Sequence, residues 1–127
     1  MVNQLAAHTN IIIHMDSTSN GNFLSCSYDK SVKFWKTEKG ELLKSIQFKH
    51  EINCVEMLND NLIAVGVRNQ SKKNEGEIIF YNLSKSIIVK IISAHSSNVN
   101  RLRLLPNGDM LSGSSNGEIK LWKIFDK

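Results

Sequence analysis

Histidine and serine recur at fixed spacing in this 127-residue chain, and the first such pair is joined by an aspartate, which completes the residue types of a hydrolase triad. His8 is followed by Ser25 and Asp29 and, 27 residues after the histidine, by Trp35. A serine hydroxyl beside an imidazole and a carboxylate could act as a nucleophile. The same groups could instead form a buried hydrogen-bond network, because an indole N–H needs an acceptor and a serine hydroxyl can supply one. We expect the structural role, since the indole would block the serine.

A second set of the same kind begins at His95. It continues with Ser112, Asn116 and Trp122, and the distance from histidine to tryptophan is again 27 residues. Asparagine here stands in the position of the aspartate. Two matching sets at equal internal spacing indicate that the chain is built from repeats.

A middle copy is degenerate. It begins at His50, 42 residues after His8 and 45 residues before His95. Ala64 stands in its serine position and Tyr81 in its tryptophan position. We therefore expect the hydrogen-bond network in the first and third copies and not in the middle one. The predicted network residues are His8, Ser25, Asp29, Trp35, His95, Ser112, Asn116 and Trp122.

The segments that must position these residues are short apolar runs between turn signals. The runs are rich in Ile, Val, Leu and Phe, and several alternate apolar and polar residues, as strands with one wet face do. No stretch shows a helical period, so the pattern favours an all-β chain. The predicted strands are 2–6, 10–15, 22–27, 31–36, 42–48, 52–57, 61–67, 77–81, 86–92, 98–104, 109–114 and 118–124.

The repeated set resembles the WD repeat of β-propeller proteins. That repeat carries a histidine before the blade, a serine or threonine on its second strand, an aspartate in the next turn and a tryptophan ending the third strand. Residues 1–127 are similar to three such repeats, at approximately 8–48, 50–92 and 95–127. The resemblance implies an all-β propeller with three four-stranded blades and a non-enzymatic protein-interaction scaffold.

Three blades are fewer than the roughly four to eight of a closed ring. We expect a second copy of the chain to complete six blades, with residues 1–7 as the outer strand of a partner's blade. In that arrangement the strand near Val2–Ala6 pairs beside Glu118–Ile124 of the other copy. The alternative is that these residues are one part of a larger propeller.

The resemblance also implies that loops on one face of the disc bind an unidentified protein partner. The residue before the turn aspartate points to this face in such proteins, and it corresponds here to Tyr28, Ser115 and Arg68. The polar stretch from Arg68 to Glu77 is expected to form a long loop there. The candidate contact residues are Tyr28, Arg68, Lys72, Lys73 and Ser115. The alternative is that they are ordinary surface residues.

The formal net charge of +4 permits a second function, the binding of nucleic acid or another anion through a basic loop face. The basic residues are scattered, however, and no run of them exceeds the pair Lys72-Lys73. We therefore expect a protein partner rather than a nucleic acid.

Other functions find little support in the pattern. No Cys/His pair has metal-ligand spacing and no phosphate-binding glycine loop appears, so we expect no metal, cofactor or enzyme activity. No apolar run approaches the length of a membrane helix, and no secretion signal is visible. Cys26 and Cys54 are expected to be two free thiols in a reducing compartment. The alternative is a disulfide, which the sequence does not exclude. We expect a cytoplasmic or nuclear protein that is not secreted.

Overall fold

The computed structural model describes residues 4–18, 20–69 and 75–124, and strands are the regular elements in them. They form three antiparallel sheets, in which neighbouring strands follow one another along the chain. We name them sheet I (β1–β4), sheet II (β5–β8) and sheet III (β9–β11). The strands are β1 (Ile12–Ser17), β2 (Phe23–Ser27), β3 (Ser31–Lys36), β4 (Glu41–Gln47), β5 (Ile52–Asn59), β6 (Leu62–Asn69), β7 (Glu75–Asn82), β8 (Ile87–His95), β9 (Val99–Leu104), β10 (Met110–Ser114) and β11 (Ile119–Trp122).

Two apolar cores lie between the sheets. Side chains alternate across each strand, so the middle sheet II contributes one set to each core. Val65 belongs to the core shared with sheet I, and the preceding Ala64 belongs to the core shared with sheet III. The first core includes Leu24, Cys26, Val32, Phe34, Ile46, Phe48, Ile52, Val55, Ile63, Val67, Ile79 and Tyr81. The second includes Cys54, Leu58, Ile78, Phe80, Ala94, Val99, Leu102 and Met110.

The first strands of the sheets, β1, β5 and β9, approach one another along the row of sheets. One polar contact joins two of them, because Glu56 on β5 accepts a hydrogen bond from the backbone N–H of Leu104, at 2.6 Å. Burial raises the pKa of Glu56, although the hydrogen bond from Leu104 lowers it in part.

No helix able to span a membrane is found among the described residues.

The segment predicted as a strand at 2–6 is unpaired in the single chain over the residues that the structure describes, and its pairing with a second copy stays a prediction. Residues 4–6 have no strand conformation, and residues 1–3 lie outside the described residues. A strand needs a neighbour to accept its backbone hydrogen bonds, and none is paired with this segment. The chain is held just afterwards, where Lys33 Nζ donates a 2.7 Å hydrogen bond to the carbonyl of Ala7.

The long loop predicted from Arg68 to Glu77 is shorter in the structure. β6 and β7 pair as far as Arg68 with Gly76 and Asn69 with Glu75. Backbone hydrogen bonds do not require apolar side chains, so the ladder continues into the polar stretch. Residues 70–74 lie outside the described residues, and with them Lys72 and Lys73.

Candidate functional site

The residues predicted for the first network meet on the face of sheet I that points away from sheet II. Trp35 Nε1 donates to Ser25 Oγ at 2.9 Å. Ser25 Oγ lies 2.7 Å from His8 Nε2, and His8 Nδ1 lies 2.8 Å from Asp29 Oδ2. The chain of contacts therefore joins the segment before β1 to the second and third strands of the sheet.

The order of donors along this chain follows from the indole. Trp35 Nε1 can only donate, so Ser25 Oγ accepts from it and is free to donate its own proton to His8 Nε2. The remaining ring proton is then on Nδ1 and is donated to Asp29. Each buried polar group has a partner in this arrangement, which is the condition for a polar network to stabilise a fold.

Asp29 is held in place by the turn between β2 and β3. Its Oδ1 accepts hydrogen bonds from the backbone N–H of Ser31 at 3.0 Å and from Ser31 Oγ at 2.6 Å. Burial alone would raise the pKa of Asp29, but hydrogen bonds from Ser31, His8 and the backbone of Thr9 lower it to about 2. The carboxylate is therefore ionised at neutral pH and acts as an acceptor.

The third copy has a corresponding arrangement around His95. Trp122 Nε1 donates to Ser112 Oγ at 2.8 Å, and Ser112 Oγ lies 2.7 Å from His95 Nε2. The predicted partner of the other ring nitrogen, Asn116, is wrong. His95 Nδ1 contacts Glu118 Oε1 at 2.7 Å instead.

In the turn between β10 and β11, two residues make the contacts that Asp29 makes alone in the first copy. Asn116 keeps one task of Asp29, because its Oδ1 accepts the backbone N–H of Glu118 at 3.2 Å. Its Nδ2 donates to Ser96 Oγ at 2.9 Å. The longer side chain of Glu118 reaches His95, and the hydrogen bond from His95 lowers the pKa of Glu118. The sequence signal that could have identified Glu118 is an acidic side chain two residues after Asn116.

The middle copy contains no such network among the described residues. The position equivalent to Ser25 is Val65 and not Ala64, which corrects the sequence alignment by one residue. Tyr81 pairs with Ile63 as Trp35 pairs with Phe23, and two residues further along the second strand lie Val65 and Ser25. A valine has no hydroxyl, so it can neither accept from an aromatic donor nor donate to His50.

In the middle copy a cavity of about 370 Å³ lies beside His50. Its wall also includes Tyr81 and the buried Glu77. Glu77 lies four residues before Tyr81, as Glu118 lies four residues before Trp122, and sequence spacing could have found it.

The geometry of the first network favours a structural role over nucleophilic catalysis. Ser25 is only 2% exposed, and the indole N–H of Trp35 occupies its oxygen. A substrate carbonyl therefore has no approach to this hydroxyl. Across residues 4–18, 20–69 and 75–124, no three His, Cys, Asp or Glu side chains gather as a metal-binding group.

Of the candidate partner-binding residues, Tyr28 and Ser115 lie in the turns after β2 and β10, and Arg68 lies near the end of β6. Tyr28, Arg68 and Ser115 each lie three residues after the second-strand position held by Ser25, Val65 and Ser112. The backbone N–H of Tyr28 donates to Ile11 at 3.1 Å, and that of Ser115 donates to Asn98, also at 3.1 Å. Arg68 and Ser115 are exposed and Tyr28 is half-buried.

Both cysteines are buried free thiols. Burial raises the pKa of Cys26 to about 12, and burial likewise raises the pKa of Cys54. Neither thiol is therefore ionised enough at neutral pH to act as a nucleophile.

Comparison with known proteins agrees with the repeated sheets. The family model described as "WD domain, G-beta repeat" matches residues 1–36 and 86–123. The WD repeat-containing protein 89 homolog of Dictyostelium discoideum is 32% identical over 98% of this chain and 33% of its own length. Autophagy-related protein 16 of Arabidopsis thaliana is 23% identical over 96% of this chain and 23% of its own length.

The same architecture is found in a solved structure. The WD40 β-propeller domain of Doa1 superimposes with a TM-score of 0.79 at 17% identity, over 95% of this chain and 39% of that one. The chain thus spans about a third or less of the length of the curated relatives named above. The matched repeats, the antiparallel sheets and the two His-Ser-Trp networks together show that the chain belongs to the WD-repeat family.

Proposed function

We propose that this chain is a protein-interaction scaffold and that two copies close into one six-bladed ring. WD-repeat proteins bind protein partners, and their propellers are generally non-enzymatic. The observation that carries the proposal is that the row of three sheets ends in an apolar face on each side.

The two end faces are the surfaces that a neighbouring sheet would cover. On sheet III, Ile119 and Leu121 point away from sheet II and are 74% and 58% exposed. On sheet I, Met15 lies on the face away from sheet II and is 64% exposed, near the stacked rings of Phe23 and Trp35. Inside the chain, the corresponding faces are buried in the two cores. Covering apolar surface is favourable by about 25 cal/mol per Å².

The segment before His8 supports closure by strand exchange. Leu5 and Ile92 each lie three residues before a network histidine. Ile92 belongs to β8, the outer strand of sheet II, and packs on the core shared with sheet III. Leu5 lies against Gly40, in the turn between β3 and β4 of sheet I. In a two-chain ring this segment would complete sheet III of the partner.

The number of sheets favours two copies. Two chains would supply six sheets, within the usual range of about four to eight blades, and three chains would exceed it. The second candidate is a larger propeller in which further sheets come from another polypeptide segment. The relatives named above favour that candidate, because this chain spans only 33% of the first of them.

Light scattering of the 127-residue chain tests the closure. We expect the mass of two chains, and a shift to one chain in Ile119→Asp, because a carboxylate on the end face would be buried without a partner. Ile87→Asp on β8 is the control and should keep the mass of two chains. A stable wild-type monomer, or a molar mass of three or more chains, would exclude the two-chain ring and leave the larger propeller.

The same proposal assigns partner binding to the loop face that contains Tyr28, Arg68 and Ser115. Tyrosine and arginine are enriched among residues that dominate protein interfaces. The buried free thiols of Cys26 and Cys54 support a reducing compartment such as the cytoplasm or nucleus.

Peptides selected on the folded chain from a phage-displayed library test the loop face. We expect Tyr28→Ala and Arg68→Ala each to weaken selected peptides by about tenfold, which is about 1.4 kcal/mol, at an unchanged melting temperature. Asn107→Ala, in the turn between β9 and β10, is the control. Binding that survives both changes and is lost in the control would contradict the assignment.

A further inference from the structure

The outer edge of sheet II has an unusually apolar strand. β8 is the last strand of its sheet and pairs only with β7 among the described residues. Ile87, Ile88, Val89 and Ile91 are 51%, 48%, 57% and 50% exposed. A long apolar edge strand leaves unpaired backbone groups and is a template for another strand.

Ring closure would not cover this edge. Sheet II already packs against sheet I on one face and sheet III on the other. A second copy of the chain would meet the free faces of sheets I and III, so β8 would stay at the rim. The exposure of β8 is therefore independent of the two-chain ring.

Cavities lie on both faces of β8. The 370 Å³ cavity beside His50 extends to Ile88 and Ile91, with the rings of Phe48 and Tyr81 behind them. Side chains of a strand added beyond β8 would alternate between this cavity and the opposite face.

The opposite face has a cavity of about 270 Å³. Val89 and Ile92 line it from β8, and Phe80, Trp122 and Ile124 line it from the neighbouring strands and the segment after β11. An added strand could thus bury apolar side chains on both of its faces.

The charges around the edge are mostly basic, apart from Glu75, whose carboxylate accepts a hydrogen bond from Ser93 near the end of β8. Lys85 and Lys90 are exposed on the turn before β8 and on the strand itself. Lys49 lines the first cavity and Lys123 the second. Glu77 also lines the first cavity, but it is only 6% exposed. The rim therefore favours an acidic partner segment by charge complementarity.

We propose that the outer edge of β8 binds an extended segment of a partner protein by strand addition. The segment has apolar residues on both of its faces and carboxylates at its ends. Backbone hydrogen bonds supply the affinity in this mode, and the cavities on the two faces supply the specificity. A second copy of β8 fits less well, because antiparallel pairing centred between Ile87 and Ile88 would bring Lys85 of one copy opposite Lys90 of the other.

Fluorescence anisotropy with a labelled nonapeptide tests the proposal on the 127-residue chain. The probe alternates isoleucine and valine, so that both of its faces are apolar, and has glutamate at both ends. We expect saturable binding, weakened about tenfold or more by the pair Ile88→Ser and Ile91→Ser. Leu43→Ser is the matched control, because Leu43 is 50% exposed on β4, the outer strand of sheet I. A probe with lysine at both ends should bind several-fold more weakly at low salt.

Backbone pairing is tested on the wild-type chain, so its result does not depend on the folding of a variant. Two further probes carry N-methyl groups on the odd or on the even residues. Only alternate N–H groups of an added strand face β8, so one probe should lose binding and the other should keep it. Equal binding of both probes would overturn strand addition, as would unchanged affinity in the Ile88→Ser, Ile91→Ser chain. Concentration-dependent self-association that these two substitutions abolish, without probe binding, would assign the edge to a second copy instead.

Discussion

His95 Nδ1 and Glu118 Oε1 lie 2.7 Å apart, in the geometry that His8 Nδ1 has with Asp29 Oδ2 at 2.8 Å. The carboxylates come from different positions, because Glu118 follows its histidine by 23 residues and Asp29 by 21. Position 31, equivalent to Glu118, is occupied by Ser31, whose hydroxyl lies 3.1 Å from His8 Nδ1. In both copies a carboxylate therefore contacts Nδ1 of the histidine, but it belongs to a different sequence position in each.

Removal of this carboxylate should destabilise the third copy. We expect Glu118→Ala to lower the free energy of unfolding, because the buried Nδ1–H of His95 loses its acceptor. Glu118→Gln should have a smaller effect, since its amide oxygen can still accept. Urea unfolding measures both, with Lys36→Ala, exposed on β3, as control. Wild-type stability in Glu118→Ala would contradict the assignment.

The serine at the centre of the first network should matter more than an exposed serine. Ser25→Ala leaves the indole N–H of Trp35 buried without an acceptor, which we expect to cost about 1–3 kcal/mol. Ser45→Ala on the exposed side of β4 should cost little. Denaturant unfolding of the two variants compares these costs, and equal stability would refute the network.

The histidines should differ in the same way. His8→Ala removes the link between Ser25 and Asp29, whereas His50 has no serine hydroxyl to contact, because Val65 stands in that position. We therefore expect His8→Ala to lower the melting temperature more than His50→Ala. The reverse order, measured by calorimetry, would show that the middle copy holds a network of another kind.

Asp29 should make stability depend on pH at the acid end. Its pKa is lowered from 3.8 to about 2, so the folded state favours the carboxylate more than the unfolded chain does. The stabilisation is fully present above pH 3.8 and is lost as the pH falls towards 2. Asp29→Asn should lose less stability over that interval. Parallel loss in both proteins, followed by circular dichroism, would place the effect elsewhere.

The packing of sheet II on sheet III should be sensitive at Gly76. A Cβ there would lie 2.0 Å from the backbone oxygen of Ser97 and 3.0 Å from Val99. We expect Gly76→Ala to destabilise the chain by about 1–3 kcal/mol, as overpacking does. At Gly113 a Cβ would meet nothing within 4 Å, so Gly113→Ala is the control. Equal unfolding midpoints would show that the two sheets are not packed as described.

Much of the architecture could be predicted from the sequence because its causes are local. Strand alternation in β3 and β11 depends on neighbouring residues, and the equal spacing of His8 to Trp35 and His95 to Trp122 shows the repeat directly. These signals were enough to predict an all-β chain and to bring Ser25 and Trp35 into one network.

Other features depended on contacts between strands. Val65 rather than Ala64 corresponds to Ser25 because the pairing of β6 with β7 sets the register, and a shift of one residue moves a side chain to the other face. Glu118 rather than Asn116 reaches His95 because the turn fixes where each side chain points. The sequence by itself determined the repeat and the strand-forming segments, whereas only the tertiary structure decided which side chains meet, since register and side-chain direction arise from pairing between distant segments.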